Sequence, residues 1–194
     1  MTMRKMVALA IVAGFLLAGS AQAQDKKEEK PKPYRFTAFA INMGSGPKAF
    51  TVDIVLERLS TDEEREGLIA AFVEGGQDKL LPALQKVRPR VGFIRTPNSI
   101  GYDLQYAWRF VNSDGSSRLV IATDRRINFW EARNQPRTID YPFTIIEMRL
   151  DAKGEGEGRM AAGTKITRSK DGKTVELENY GISPVALNNI KLQK

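Results

Sequence analysis

Two stretches of this 194-residue chain hold residue types that could do chemistry. The denser runs from Phe129 to Phe143 and carries two acids, Glu131 and Asp140, among Trp130, Arg133, Arg137 and Tyr141. A carboxylate pair held about 5–10 Å apart across a cleft is the machinery of glycoside hydrolysis, one acid protonating the leaving oxygen and the other activating water or attacking. The plainer reading has Arg133 and Arg137 pairing with the acids to order a long connection, with Trp130 and Tyr141 packed on its underside. Either way the segment reads as loop or irregular strand, where ligand contacts concentrate. The second stretch is 101–111, where Tyr102, Leu104, Tyr106, Trp108 and Phe110 alternate with Asp103, Gln105 and Arg109. Such a stripe stacks on sugar rings if it faces solvent, or holds an apolar ligand if it lines a barrel; it is also what a plain core strand looks like.

The residue inventory narrows what either stretch could catalyse. The chain has no cysteine and no histidine. Disulfides, thiolate nucleophiles, Cys/His zinc sites, haem ligation by either residue and triads with an imidazole base are therefore absent. A Gly-rich phosphate loop, a Gly-x-Ser-x-Gly elbow and a Ser-x-x-Lys set are also missing. Gly154-Glu155-Gly156-Glu157-Gly158 has the glycine–acid rhythm of some calcium loops without the Asp-x-Asp spacing, and reads as an acidic hairpin tip. No cofactor or metal is expected. Only paired carboxylates keep an enzyme reading alive.

The elements that must position these residues begin after an export signal. Arg4 and Lys5 precede an apolar run from Met6 to Leu17, and Ala21-Gln22-Ala23 fits the small-residue cleavage rule. The run is too short to span a bilayer, which takes about 20 apolar residues, so residues 1–23 read as a cleaved signal and no later stretch reads as a transmembrane segment. The protein is thus expected outside the cytoplasm, in the periplasm or beyond the cell. Its mature charge, 28 basic against 23 acidic residues, is dispersed and does not read as a nucleic-acid footprint. Residues 24–33 are polar apart from two prolines and read as a flexible linker. Residues 34–194 read as one domain, large enough to fold without disulfides.

Within it, period-two alternation predicts strands at 34–42, 48–58, 90–95, 101–111, 117–123, 143–151, 157–168, 173–179 and 184–192, with 126–132 ambiguous. Asp114-Gly115 and Asp171-Gly172 lie between such runs, and Gly44-Ser45-Gly46-Pro47 separates the first two. Tight turns of this kind make consecutive strands antiparallel. In the last strand Val185 and Leu187 share a parity that Ile190 and Leu192 break, which predicts a bulge at Asn188-Asn189. The rhythm changes at 61–87. Ser60 and Thr61 stand three before Glu63 and Glu64 at capping-box spacing, Leu68, Ile69, Phe72 and Val73 recur at helical intervals, and Gly75-Gly76 stops the run. A second helix carries Leu80, Leu81, Leu84 and Val87, with Pro82 fixing its start near Asp78. The fold class is an antiparallel β-sandwich or partly closed β-barrel with an inserted helical hairpin.

The strings Phe129-Trp130-Glu131-Ala132, Arg137-Thr138-Ile139-Asp140-Tyr141-Pro142-Phe143 and Glu178-Asn179-Tyr180-Gly181, behind a signal and the strand Thr51-Val52-Asp53-Ile54, resemble a group of uncharacterised exported bacterial proteins. The resemblance implies an exported context and no particular activity. With catalytic motifs missing, the residues point first to a non-catalytic exported protein that binds a small apolar or carbohydrate ligand. That ligand would sit in the interior or near 129–143, on Tyr102, Tyr106, Trp108, Trp130, Arg133, Arg137 and Tyr141. The alternatives are a glycoside hydrolase using Glu131 and Asp140, or an interaction or structural protein of the cell envelope.

Overall fold

Alternation carries most of the chain into strands. A computed structural model describes residues 32–42, 48–97, 99–127, 141–168, 175–179 and 184–193. In chain order the elements are β1 (Tyr34–Asn42), β2 (Lys48–Leu56), α1 (Asp62–Gln85), β3 (Gly92–Arg95), β4 (Tyr102–Leu104), β5 (Tyr106–Val111), β6 (Ser117–Thr123), β7 (Phe143–Leu150), β8 (Glu155–Arg168), β9 (Val175–Asn179) and β10 (Val185–Gln193). Every pairing is antiparallel. The order across the sheet is β4-β3-β2-β1-β10-β8-β7-β6-β5, with β9 paired to the far half of β8. This single sheet is nearly closed into a barrel, and of the two architectures its sequence allows, the chain adopts the barrel.

Closure depends on Gln105. Residues 102–104 pair with β3, while 106–111 pair with β6, so one extended segment bonds both ends of the strand path. Between them the Gln105 amide donates to the Ala122 carbonyl, and its side-chain oxygen accepts from the Asp124 amide at 3.2 Å. Gln105 is almost fully buried, and these bonds satisfy groups that would otherwise be costly to bury. The seam is reinforced from the other side. The Val91 carbonyl takes the amides of Glu57 and Arg58, and Ser60 exchanges two bonds with Ala107, amide to carbonyl at 2.8 Å and amide to hydroxyl at 3.1 Å.

The capping box falls to the other member of the Ser60/Thr61 pair. Thr61 Oγ1 accepts from the Glu64 amide, and Glu64 Oε2 accepts from the Thr61 amide at 3.0 Å. Glu64 also forms a two-pronged ion pair with Arg58 at 2.7 and 2.8 Å, while Arg58 reaches the Pro89 carbonyl. The exit of β2, the start of α1 and the approach to β3 are thus tied at one point. Helical dihedrals fail at Gly75 and at Gly76 (φ 60°, ψ −145°), so α1 is two arms meeting at a kink where two helices are expected.

Inside the barrel, Phe36, Ala38, Ala40, Val52, Ile54, Leu56, Ile94, Leu104, Ala107, Leu119, Ile121, Ile146, Met148, Met160, Leu187 and Ile190 form one buried cluster. A second cluster lies on the outer face of β6–β8, where Leu68 and Leu84 of α1 cover Ala122 and Phe143. The predicted bulge is present: register slips between Leu187 and Ile190, and Asn189 takes φ 51°. The Gly154–Gly158 run corrects its expectation as a hairpin tip. The turn is Asp151–Gly154, and Glu155 onward is strand. Gly156 and Gly158 are required because a Cβ there would strike the Arg149 and Glu147 carbonyls of the neighbouring strand.

Candidate functional site

Among the described residues the interior is filled by the core cluster, and a space at one end, lined by Tyr34, Phe36, Leu59, Arg109 and Leu119, measures about 20 Å³. That is enough for one water. The aromatic stripe does not line it as a unit. Gln105 makes its bonds at the seam and reverses the parity of the strand: Leu104 and Ala107 both join the interior cluster, Tyr102 packs against it, and Tyr106 belongs to the cluster beneath α1. Tyr102, Tyr106 and Trp108 therefore do not share one face, contrary to the alternation. Burial raises the Tyr106 hydroxyl above its ordinary pKa, with Arg65 beside it pulling the other way.

Outside the barrel, register assembles something the alternation did not display. Residues directly opposite in an antiparallel pair share a face. Tyr106, Ala122, Ile145 and Ala161 form one row across β5–β8, largely under the helix; Trp108, Val120, Glu147 and Arg159 form the next; Phe110, Arg118, Arg149 and Glu157 form the last. Trp108 and Phe110 stand edge to face, ring centres 6.5 Å apart. The Arg65 guanidinium lies 5.0 Å over Trp108, and that of Arg118 lies 4.7 Å over Phe110. Phe110 is 39% exposed.

Beyond the last row, the β5–β6 and β7–β8 turns frame an open groove of about 580 Å³, lined by Asn112, Ser116–Arg118, Arg149–Asp151 and Glu155–Glu157. Ser117 is 3% exposed, yet its hydroxyl has no hydrogen-bond partner. The Asp151 carboxylate accepts from the Glu155 and Lys153 amides, which hold it below the usual carboxylate range. Asp114 is held down in the same way by the Ser116 hydroxyl and amide. Both acids therefore serve their turns. Glu147 lies 3.4 Å from Arg149.

Of the residues singled out by sequence, Trp130, Glu131, Arg133, Arg137 and Asp140 lie outside the described residues. Tyr141 is described, and its hydroxyl donates to Glu178 at 2.8 Å, joining two of the strings that carry the family resemblance. Arg65, Ser117, Arg118 and Arg149 are not among the residues singled out, and Phe110 enters only as the last member of the aromatic stripe. The hairpin pairs Phe110 with Arg118 about a turn centred on Asp114, whereas a two-residue Asp114-Gly115 turn would set Phe110 opposite Leu119. Among the described residues no three acidic side chains converge as a metal site would need, and no helix is long and apolar enough to cross a membrane. Comparison of the chain with protein-family models, with curated proteins and with solved structures finds no match.

Proposed function

We propose that this is an exported, non-catalytic carbohydrate-binding protein whose ligand lies along the outer face of β5–β8. One observation carries the reading: an edge-to-face Trp108–Phe110 pair on a sheet surface runs into an open polar groove. Aromatic rings pack on the apolar C–H side of a sugar ring, and amide and guanidinium groups such as those of Asn112 and Arg118 suit its hydroxyls. The packed core cluster among the described residues favours this face over an apolar ligand carried inside, and the reading of residues 1–23 as an export signal supports a ligand such as envelope or environmental polysaccharide. Affinity electrophoresis of the purified protein in gels containing soluble polysaccharides tests it. Retardation that falls at least about tenfold in affinity in Phe110→Ala, with the melting temperature preserved, is expected. Retardation unchanged in Phe110→Ala and Trp108→Ala would remove this face from consideration.

A further inference from the structure

The outer face of β5–β8 has a charge pattern that a site for neutral sugar does not need. Register sets Arg118 directly opposite Arg149, and like charges facing across a strand pair are destabilising. Arg149 has Glu147 at 3.4 Å and Glu157 across the next pair. Arg159, too, faces Glu147. Arg118 has no such acid: among the described residues no carboxylate pairs with it, and its one mapped contact is the face of Phe110. A guanidinium held over a ring through its carbon still has N–H groups to offer, in the fork geometry that grips a carboxylate through two bonds. Asp114 and Asp151, in the two turns beside the groove, each commit one carboxylate oxygen, Oδ1, to turn hydrogen bonds.

We infer that the ligand of this face is an acidic glycan, a uronate-bearing polysaccharide whose carboxylate is gripped by Arg118 on its Phe110 platform, with Arg149 beside it. This rests on the carbohydrate-binding reading above. A glycan is favoured over other polyanions because Arg118 stands over an aromatic ring beside a groove of mixed polar lining that also carries Asn112, Ser116 and the acids Asp151, Glu155 and Glu157, which disfavours a densely charged polymer, while the chain's net basic charge is dispersed. The probe is polygalacturonate, compared by affinity electrophoresis with the same polymer after methyl esterification, which removes charge and little else. The full mature chain should bind polygalacturonate roughly tenfold tighter or more, as two charge-assisted hydrogen bonds imply. Arg118→Ala should abolish that preference while still binding the ester; Phe110→Ala should weaken both, and both variants should melt near the wild type. Equal affinity for the two polymers overturns the acidic inference and leaves the carbohydrate reading standing, whereas no binding to either removes both. Binding of an oligothymidylate or of phosphatidylglycerol vesicles as tight as that of polygalacturonate, and equally sensitive to Arg118→Ala, overturns the choice of a glycan.

Discussion

Two parts of the barrel surface use the same construction, arginine laid on an aromatic ring, with different completion. On β2–β4, Arg90 and Arg95 lie 5.1 and 5.5 Å over Phe93. There Arg90 reaches Glu57 at 3.0 Å and Asp103 across the next pair, and Arg95 reaches Asp53 at 3.5 Å. Every cation has its acid, and the Glu57 and Asp103 hydrogen bonds hold the Arg90 proton more firmly than usual. On β5–β8, Arg65 and Arg118 lie over Trp108 and Phe110, and among the described residues neither has a carboxylate partner. The first patch is a closed electrostatic circuit that braces three strands. The second has its aromatic and cationic parts in place with no carboxylate paired to Arg65 or Arg118 among the described residues, which is why the ligand is proposed on that side.

The largest expected effect comes at the edge of the braced side, where Glu64 joins cap and ion pair. Glu64→Ala removes the capping box and the Arg58 pair together and should cost about 2 kcal/mol in urea unfolding, far more than any single change on β5–β8 outside the cores. Its pH signature has a definite sign. Arg58 first, then the Thr61 amide, hold Glu64 below its ordinary pKa. A carboxylate depressed in the folded state contributes stability that is complete above the unfolded value of about 4.3 and is lost as pH falls through the lower folded value. The unfolding midpoint should therefore drop below about pH 4, and more shallowly in Glu64→Ala. An identical acid profile in that variant would mean the junction bears no load.

Charge reversal gives an intermediate effect and sharpens the contrast most directly. Arg90→Glu meets Glu57 and Asp103 and should cost about 1–2 kcal/mol in thermal or urea unfolding. Arg118→Glu trades its ring stack for an acid facing Arg149 and should stay within about 0.5 kcal/mol of the wild type while losing polygalacturonate. If the two reversals cost the same, the two faces are equivalent and the distinction fails. The smallest effect is ionic: raising salt should leave the exposed β2–β4 pairs almost without influence on stability, but weaken acidic-glycan binding several-fold.

Much of the architecture was legible because its signals are local. Strand parity, the Asp114-Gly115 turn, the Gly75-Gly76 break and the slip at Asn188-Asn189 each follow from a few neighbouring residues. The aromatic stripe misled because both faces of 102–110 offer apolar side chains, Leu104 on one count and Ala107 on the other, and only the seam bonds of Gln105 decide where the parity turns. Counting from a two-residue Asp114-Gly115 turn would pair Phe110 with Leu119; only the longer turn centred on Asp114 sets it against Arg118. Nor could Arg149 be placed, since β7 meets β6 across the long 124–142 connection and no local pattern states their register. Capping-box spacing likewise left Ser60 and Thr61 equal until Ala107, distant in sequence, claimed Ser60.

The position of β10 between β1 and β8 has a consequence for biogenesis. Until residues 185–193 have been synthesised, β1 and β8 each present a bare edge and the wall stands open, however complete the preceding nine strands. A chain still emerging from the ribosome is then a poor substrate for premature folding. The barrel shuts only after the final strand has been delivered.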